Sequence, residues 1–223
     1  MVGLNPVPRP AAMSDANSTV LVIDDDPNFR ASVGRLLRSL SIDVQLFASI
    51  SEFLESDPPD CPTCLVLDVR LPDQSGLDLQ RELAAANREI PIIFVTGHGD
   101  IPMSVQAMKR GAIEFLTKPF RDQDLLDAIQ LGLSRDGARR KNETDLAILR
   151  ERFGSLSPRE REIVIQVARG RLSKQIAYDI GIAEATVKVH RSRAMQKMKA
   201  SSLPELGRMA DRLRLVPDTL HRA

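Results

Sequence analysis

The sequence predicts an α/β chain: a doubly wound, five-stranded parallel sheet followed by a small all-α domain. Three observations carry that expectation. Over residues 19–134, five short apolar runs alternate with amphipathic segments, the pattern of a parallel sheet covered by helices on both faces. Residues 155–223 read instead as a succession of short helices. The charge also changes sign between the two: residues 19–134 carry 10 Lys/Arg against 18 Asp/Glu and residues 135–223 carry 20 against 11, within a chain whose total is only +1. An acidic front and a basic back imply different partners, and a polyanion for the second.

The elements follow in order. Residues 1–18, rich in Pro, Ala, Ser and Asn, read as a disordered leader. "TVLVID" (19–24) is the first strand. Phe29, Val33, Leu36, Leu37 and Leu40 then fall at i, i+4, i+7, i+8 and i+11, one face of a helix, with Asp26 as its N-cap and Pro27 as its first residue. "IDVQLF" (42–47), "CLVLD" (64–68), "PIIFVT" (91–96) and "AIEFLT" (112–117) are the remaining strands, and helices fit at 49–56, 77–87, 101–110 and 121–133. Residues 135–154, charged and interrupted by Gly137, read as a partly helical linker in which Leu146, Leu149 and Phe153 support a turn or two.

The second domain opens on S-x-x-E: Ser157 and Glu160 form a capping box with Pro158 at the first helical position. A helix at 173–180 has Ile176, Ala177 and Ile180 as its apolar stripe, and Gly181 and Ile182 make the turn that follows. The next helix, "EATVKVHRSRAMQKMK", buries Val187, Ala194, Met195 and Met198, with His190 at the margin as a packing residue. In the last, "SSLPELGRMADRL", Leu203, Leu206, Met209, Ala210 and Leu213 gather more apolar surface on one side than three short helices need.

No apolar run approaches the ~20 residues of a membrane span, and the N-terminus lacks a secretory signal's apolar core, so a cytoplasmic location is expected. Cys61 and Cys64, spaced as "CPTC", offer a redox couple on paper. There is no second pair or nearby His to complete a metal site, and Cys64, opening an apolar strand, reads as a packing residue.

In doubly wound sheets functional groups gather beyond the carboxyl ends of the strands. There stand Asp24, Asp25 and Asp26 after strand one, Asp68 ending strand three, Thr96 ending strand four, and Thr117, Lys118 and Pro119 at the end of strand five. Crowded carboxylates repel and need a cation, and Mg²⁺, a hard ion that keeps waters, is the natural one. The ion leaves room for a phosphoryl oxygen, with Lys118 and Thr96 to meet two others and Asp68 as the nucleophile. Any one such Asp is commonly a cap or turn residue. All of them together, each at the right strand end, are not.

"VLVIDDDPNFR", "LVLDVRLPDQSG", "FVTGHGD" and "FLTKPF" resemble, in order and spacing, the signature segments of two-component receiver domains, a flavodoxin-like fold, over residues 19–134. The resemblance implies that Asp68 is the phosphoacceptor and that Asp24, Asp25 and Asp68 bind Mg²⁺ with the backbone carbonyl of Arg70. It also makes Thr96 and Lys118 the phosphoryl-sensing pair, the Lys118–Pro119 peptide cis, and Phe115 the switch aromatic, without the hydroxyl many relatives have there. His98 in "TGHGD" reads as a residue of a movable 97–102 loop, and that segment resembles the FixJ-like subfamily.

On the third helix of the basic domain, Lys188, Val189, Ser192, Arg193 and Gln196 lie opposite the buried face. A valine among donors suits a DNA major groove, where it meets a thymine methyl while Lys188 reaches guanine. Lys174, Thr186, Arg191 and Lys197 then meet phosphates. The alternative is an ordinary basic helix on a small bundle. Residues 155–215 resemble a LuxR-type helix-turn-helix domain, with one departure: Ser173 stands where relatives carry Asn. In relatives the last helix pairs DNA-bound subunits.

Together the resemblances imply a response regulator of the FixJ/NarL class and not a turnover enzyme. Its expected partners are a sensor histidine kinase, double-stranded DNA with inverted-repeat sites, RNA polymerase, and a second copy after phosphorylation, with no membrane. Val105, Met108, Lys109 and the stretch 110–114 are candidates for the dimer face. Two other readings are open. A nucleotide- or flavin-binding domain shares this sheet but would want a Gly-rich loop where "DDDPN" stands. A helical output that contacts RNA polymerase instead of DNA shares the helix-turn-helix architecture.

Overall fold

In the computed structural model the described residues are 18–72, 74–97 and 101–215. The leader expected over 1–18 lies, apart from Ser18, outside them, as does His98. The chain divides into two units, Met1–Arg140 and Lys141–Ala223.

The first unit is built on five parallel strands: β1 (Thr19–Ile23), β2 (Asp43–Phe47), β3 (Thr63–Asp68), β4 (Ile92–Thr96) and β5 (Glu114–Thr117), in the order β2-β1-β3-β4-β5. Between and after them come α1 (Pro27–Ser39), α2 (Ile50–Glu55), α3 (Gly76–Ala85), α4 (Ile101–Lys109) and the start of α5 (Asp122–Gly154). The central strands β1, β3 and β4 are buried along their whole length, which is why they read as continuous apolar runs. Alternate residues serve opposite faces. Leu21, Ile23, Leu65, Leu67 and Phe94 pack with Ile50, Leu79 and Ala107, whereas Val20, Val22, Val66, Ile93 and Val95 pack with Val33, Leu37, Leu125 and Ile129.

Register sets the active edge. Ile23 pairs with Leu67, Asp68 with Val95, and Thr96 with Thr117, so the strand ends are nearly level. The carboxylates after β1 and β3 therefore share an edge with Thr96 and Lys118.

Local signals mostly hold. Asp26 caps α1 by accepting from the Asn28 amide at 2.8 Å. Leu40, expected on the buried face of α1, is 42% exposed, because the helix ends at Ser39 and Ser41 turns the chain with φ 61°. Cys64 is fully buried, and a Cβ placed on Gly132 of α5 would lie 2.5 Å from its sulfur. Both thiols are free, and Cys61 shares a hydrogen bond with the Thr19 hydroxyl at 3.3 Å.

The helix expected over 121–133 and the partly helical linker over 135–154 are one helix, α5, and Gly137 does not interrupt it. Tertiary contacts outweigh the ~1 kcal/mol cost of a helical glycine. Within the first unit, buried Asp136 accepts from the Thr63 amide at 2.9 Å, from Arg139 at 2.6 Å and from Arg140 at 2.7 Å, while Gly137 lies against the Pro62 ring. In the second unit, Leu149 and Phe153 enter a different core.

That second unit adds α6 (Pro158–Ala168), α7 (Ser173–Ile180), α8 (Glu184–Met198) and α9 (Leu203–Arg212). Its main core joins Leu149, Leu156, Val164, Ala194, Met198, Leu206 and Ala210; a smaller one joins Ile163, Ile176, Ala177 and Val187. The capping box at Ser157 and Glu160 is present in both directions. Gly181 takes the left-handed conformation that ends α7 and opens the turn into α8. The apolar face of α9, expected to be in excess, is largely used within the unit: Leu206 and Ala210 are fully buried, Met209 and Leu213 partly, and Leu203 is exposed.

Gly132→Ala tests the close approach of α5 to β3. Helix propensity alone favours alanine by about 1 kcal/mol, yet overpacking against Cys64 is expected to cost about 1–3 kcal/mol. Urea unfolding should show that loss, and adding Cys64→Ala should make the double variant less destabilised than the sum of the single ones. A Gly132→Ala protein as stable as the parent would contradict the contact.

Candidate functional site

The acidic pocket is assembled from the ends of β1, β3, β4 and β5. Asp24 is fully buried; its Oδ1 accepts from the Asp26 amide at 3.0 Å and its Oδ2 from Lys118 Nζ at 2.5 Å. Asp68 is also buried; Oδ1 accepts from the Arg70 amide at 2.9 Å and Oδ2 from the same Lys118 ammonium at 2.9 Å. Burial raises the Asp24 carboxyl above its ordinary range despite Lys118. For Lys118, burial works against the charge, but its hydrogen bonds to Asp24 and Asp68 outweigh it and raise the ammonium's pKa.

Asp25 is exposed beside them, and one ligand oxygen from each of Asp24, Asp25 and Asp68 lies within 4.8 Å of the others. Three carboxylates against one ammonium leave two negative charges, and the exposed member leaves room for water. That donor set is compatible with Mg²⁺.

Several supports were not legible in the sequence. Phe29, read only as a helix-face residue, lies under Lys118, whose ammonium sits 3.9 Å from the ring centroid. Arg30 donates to the Asp24 carbonyl at 2.6 Å. Gly76 opens α3 against the end of β3: a Cβ there would lie 2.4 Å from the Asp68 carbonyl oxygen. Thr96 is buried at the end of β4, and its carbonyl accepts from the Lys118 amide at 2.8 Å. The Lys118–Pro119 peptide is cis, as expected. Phe115 is partly buried, its ring 6.2 Å from that of Phe94. On α4, Val105, Met108 and Lys109 are all exposed.

In the second unit, α7 and α8 flank the Gly181 turn as a helix-turn-helix. Val187, Ala194 and Met198 of α8 are buried as expected, and Met195 is half-buried. Lys188, Val189, Ser192 and Arg193 form its exposed face, with Val189 at 49% exposure. Lys188 pairs with Glu184 one turn earlier at 2.9 Å. Lys174 and Thr186 are exposed, while Arg191 donates to the hydroxyl of buried Ser173 at 2.9 Å. That bond gives the serine an internal role. Lys197, expected at a phosphate, is engaged within its own domain, 2.8 Å from Glu160 Oε2 and 3.4 Å from the Ser155 carbonyl.

A level row of acids, threonine and lysine on a flavodoxin-like sheet, followed by a helix-turn-helix unit, defines a receiver domain with a DNA-binding output. The family described as response regulator receiver domain matches residues 20–130, and that of bacterial regulatory proteins, luxR family, matches residues 154–210. Nodulation protein W of Bradyrhizobium diazoefficiens is 50% identical over 200 residues, covering 90% of this chain and 88% of that protein. The transcriptional regulatory protein FixJ of Azorhizobium caulinodans is 44% identical over 191 residues, 86% of this chain and 90% of that one. The solved structure of the response regulator StyR is 48% identical, with a TM-score of 0.78 over 88% of this chain and 99% of that one. The chain belongs to the response regulators that join a receiver to a LuxR-type helix-turn-helix domain, and it is a DNA-binding transcription factor. A receiver implies a kinase partner. Among the described residues, no helix is long and apolar enough to cross a membrane.

The Lys197 pair makes a pH prediction. Its ammonium, together with the Ser157 amide, holds the Glu160 carboxyl at about 2, below the usual 4.5. A depressed carboxylate contributes stability that is fully present above the unfolded value and is lost as pH falls through the folded one. Glu160→Gln should therefore lower the thermal midpoint near pH 7, with the difference from the parent closing between about pH 5 and 2. A difference independent of pH would argue against the ion pair.

Proposed function

We propose that Asp68 accepts a phosphoryl group from a sensor histidine kinase and that the modified receiver pairs with a second copy, bringing two α8 helices onto an inverted-repeat DNA site. The observation that carries this reading is the single Lys118 ammonium hydrogen-bonded to both Asp24 and Asp68 at adjacent strand ends. Oδ1 of Asp68 is held by the Arg70 amide, which leaves Oδ2, beside Lys118, to attack phosphorus. The bond from phosphorus to the kinase's histidine nitrogen breaks, and an acyl phosphate forms on Asp68. Asp24, Asp25, Asp68 and the Arg70 carbonyl would hold Mg²⁺, which when bound supplies positive charge to the phosphoryl oxygens.

The chain's own groups then respond. Lys118 keeps its charge, and its ammonium turns from the carboxylate to a phosphoryl oxygen. Thr96 offers its hydroxyl to another, drawing on the end of β4 and on the α4 and Phe115 region. Phe115 acts through packing alone. Val105, Met108 and Lys109, exposed on α4, are the proposed pairing surface.

On DNA, Lys188, Val189, Ser192 and Arg193 face the bases, and Lys174, Thr186 and Arg191 the phosphates. Lys197 keeps Glu160 and takes no part in this set. Pairing converts two weak half-site contacts into one tighter one, which lets phosphorylation control occupancy. RNA polymerase is the proposed recipient of the bound dimer, and the cytoplasm its location.

With Mg²⁺ and acetyl phosphate or beryllium fluoride, the parent should double its mass in solution and gain DNA affinity, whereas Asp68→Asn should do neither. Equal behaviour of the two proteins would sink the reading. Lys188→Ala should reduce discrimination between the preferred site and one altered at the contacted base pair by about 1–3 kcal/mol. A uniform loss over all sequences would reassign Lys188 to phosphate.

A further inference from the structure

α8 carries one side chain that neither its buried nor its exposed face accounts for. His190 is partly buried, and its Nδ1 is a buried atom with no hydrogen-bond partner, one of two such side-chain atoms among the described residues. Buried polar atoms in native structures are normally paired, and an orphaned buried N–H is rarer than an orphaned acceptor. The neutral ring meets that constraint by carrying its proton on Nε2 and leaving a bare lone pair on Nδ1. Nε2 also lacks a partner among the described residues, but it reaches solvent. The ring therefore presents one outward N–H donor that nothing in its own domain uses.

Position decides where that donor leads. Thr186, His190, Arg193 and Lys197 fall at i, i+4, i+7 and i+11, along one flank of α8. Lys197 closes the far end of the flank against Glu160 of α6 at 2.8 Å. Thr186 and Arg193, one turn to either side of His190, are exposed. Helical side chains lean back over the preceding turn, which carries the imidazole toward Thr186. Val189, Ser192 and Gln196 hold the middle of the exposed face. With that face against base edges, a group on the flank meets the wall of the groove, where the phosphates stand.

We infer that His190 is a further DNA-contacting residue, its Nε2–H donating as a neutral group to a phosphate oxygen beside Thr186. The contact rests on the placement of α8 in the major groove proposed above, and adds to it a donor of a different kind. Lysine and arginine displace counterions when they meet phosphates, so their share of the affinity fades as salt rises. A neutral imidazole displaces none. Its share persists in salt, fixes the register of α8 on the duplex, and carries no sequence preference.

The test uses the full chain with Mg²⁺ and beryllium fluoride, and a duplex that the parent selects from a random pool. His190→Phe keeps a ring and removes both nitrogens; with no internal bond lost, its thermal midpoint should equal or exceed the parent's. Its DNA affinity should fall about tenfold or more, since a dimer loses two hydrogen bonds. The loss should be the same on the selected duplex and on one altered at the contacted base pairs, with the salt dependence unchanged. His190→Gln, whose amide nitrogen can stand near the place of Nε2, should recover most of the affinity. A methylphosphonate, neutral at the contacted phosphate, should weaken the parent and leave His190→Phe little changed. Parental affinity in His190→Phe, a loss confined to the selected duplex, or a salt slope smaller by about one per half-site would each overturn the inference. Failure of the activated parent to select any duplex would instead remove the groove placement of α8, and this contact with it.

Discussion

Everything in the receiver depends on one ammonium placed between two buried carboxylates. Asp24 and Asp68 follow from adjacent parallel strands whose registers end level, so their charges are brought together by the fold itself. Without Lys118 that edge would hold unneutralised charge in a buried place. The lysine comes from the end of β5, two strands away from β3, about 10 Å at ordinary strand spacing. Only a long, flexible cation spans that gap, and the Phe29 ring and the Thr96 carbonyl fix its path.

Much of this was visible in the sequence because the relevant signals are local. Near-continuous apolar runs ending in Asp, Thr or Lys announced both the parallel sheet and its functional edge, and S-x-x-E with Pro158 announced a helix start. What stayed hidden depends on distant partners. α5 did not look like one helix, since its first half packs Leu125 and Ile129 into the receiver core and its second packs Leu149 into another, so no single apolar stripe runs its length. Nothing local marks Gln80 for burial; the carbonyls of Ala107 and Arg110, 27 and 30 positions away, account for it. Lys197 read as a phosphate contact because its partner, Glu160, lies 37 positions earlier in the chain.

The helical unit resolves its own economy of surface in a similar way. Its core is small, and the last residues of α5 and most of the apolar face of α9 are needed to complete it. The exposed face of α8 is correspondingly free of structural duty apart from the Glu184–Lys188 pair. Residues on that exposed face can change without disturbing the core, whereas Arg191 and Ser173, joined across α7 and α8, hold the two helices together.

The two cysteines have a chemical consequence. Burial pushes the Cys64 thiol far above the ordinary range, so it yields little thiolate and no access to a reagent. Cys61, partly exposed just before β3, is the other thiol in the chain. Alkylating fluorophores would therefore attach at one position without any engineered cysteine. That position sits at the start of the strand that ends in Asp68, about 20 Å away by strand rise, far enough for a dye to leave the acidic pocket untouched.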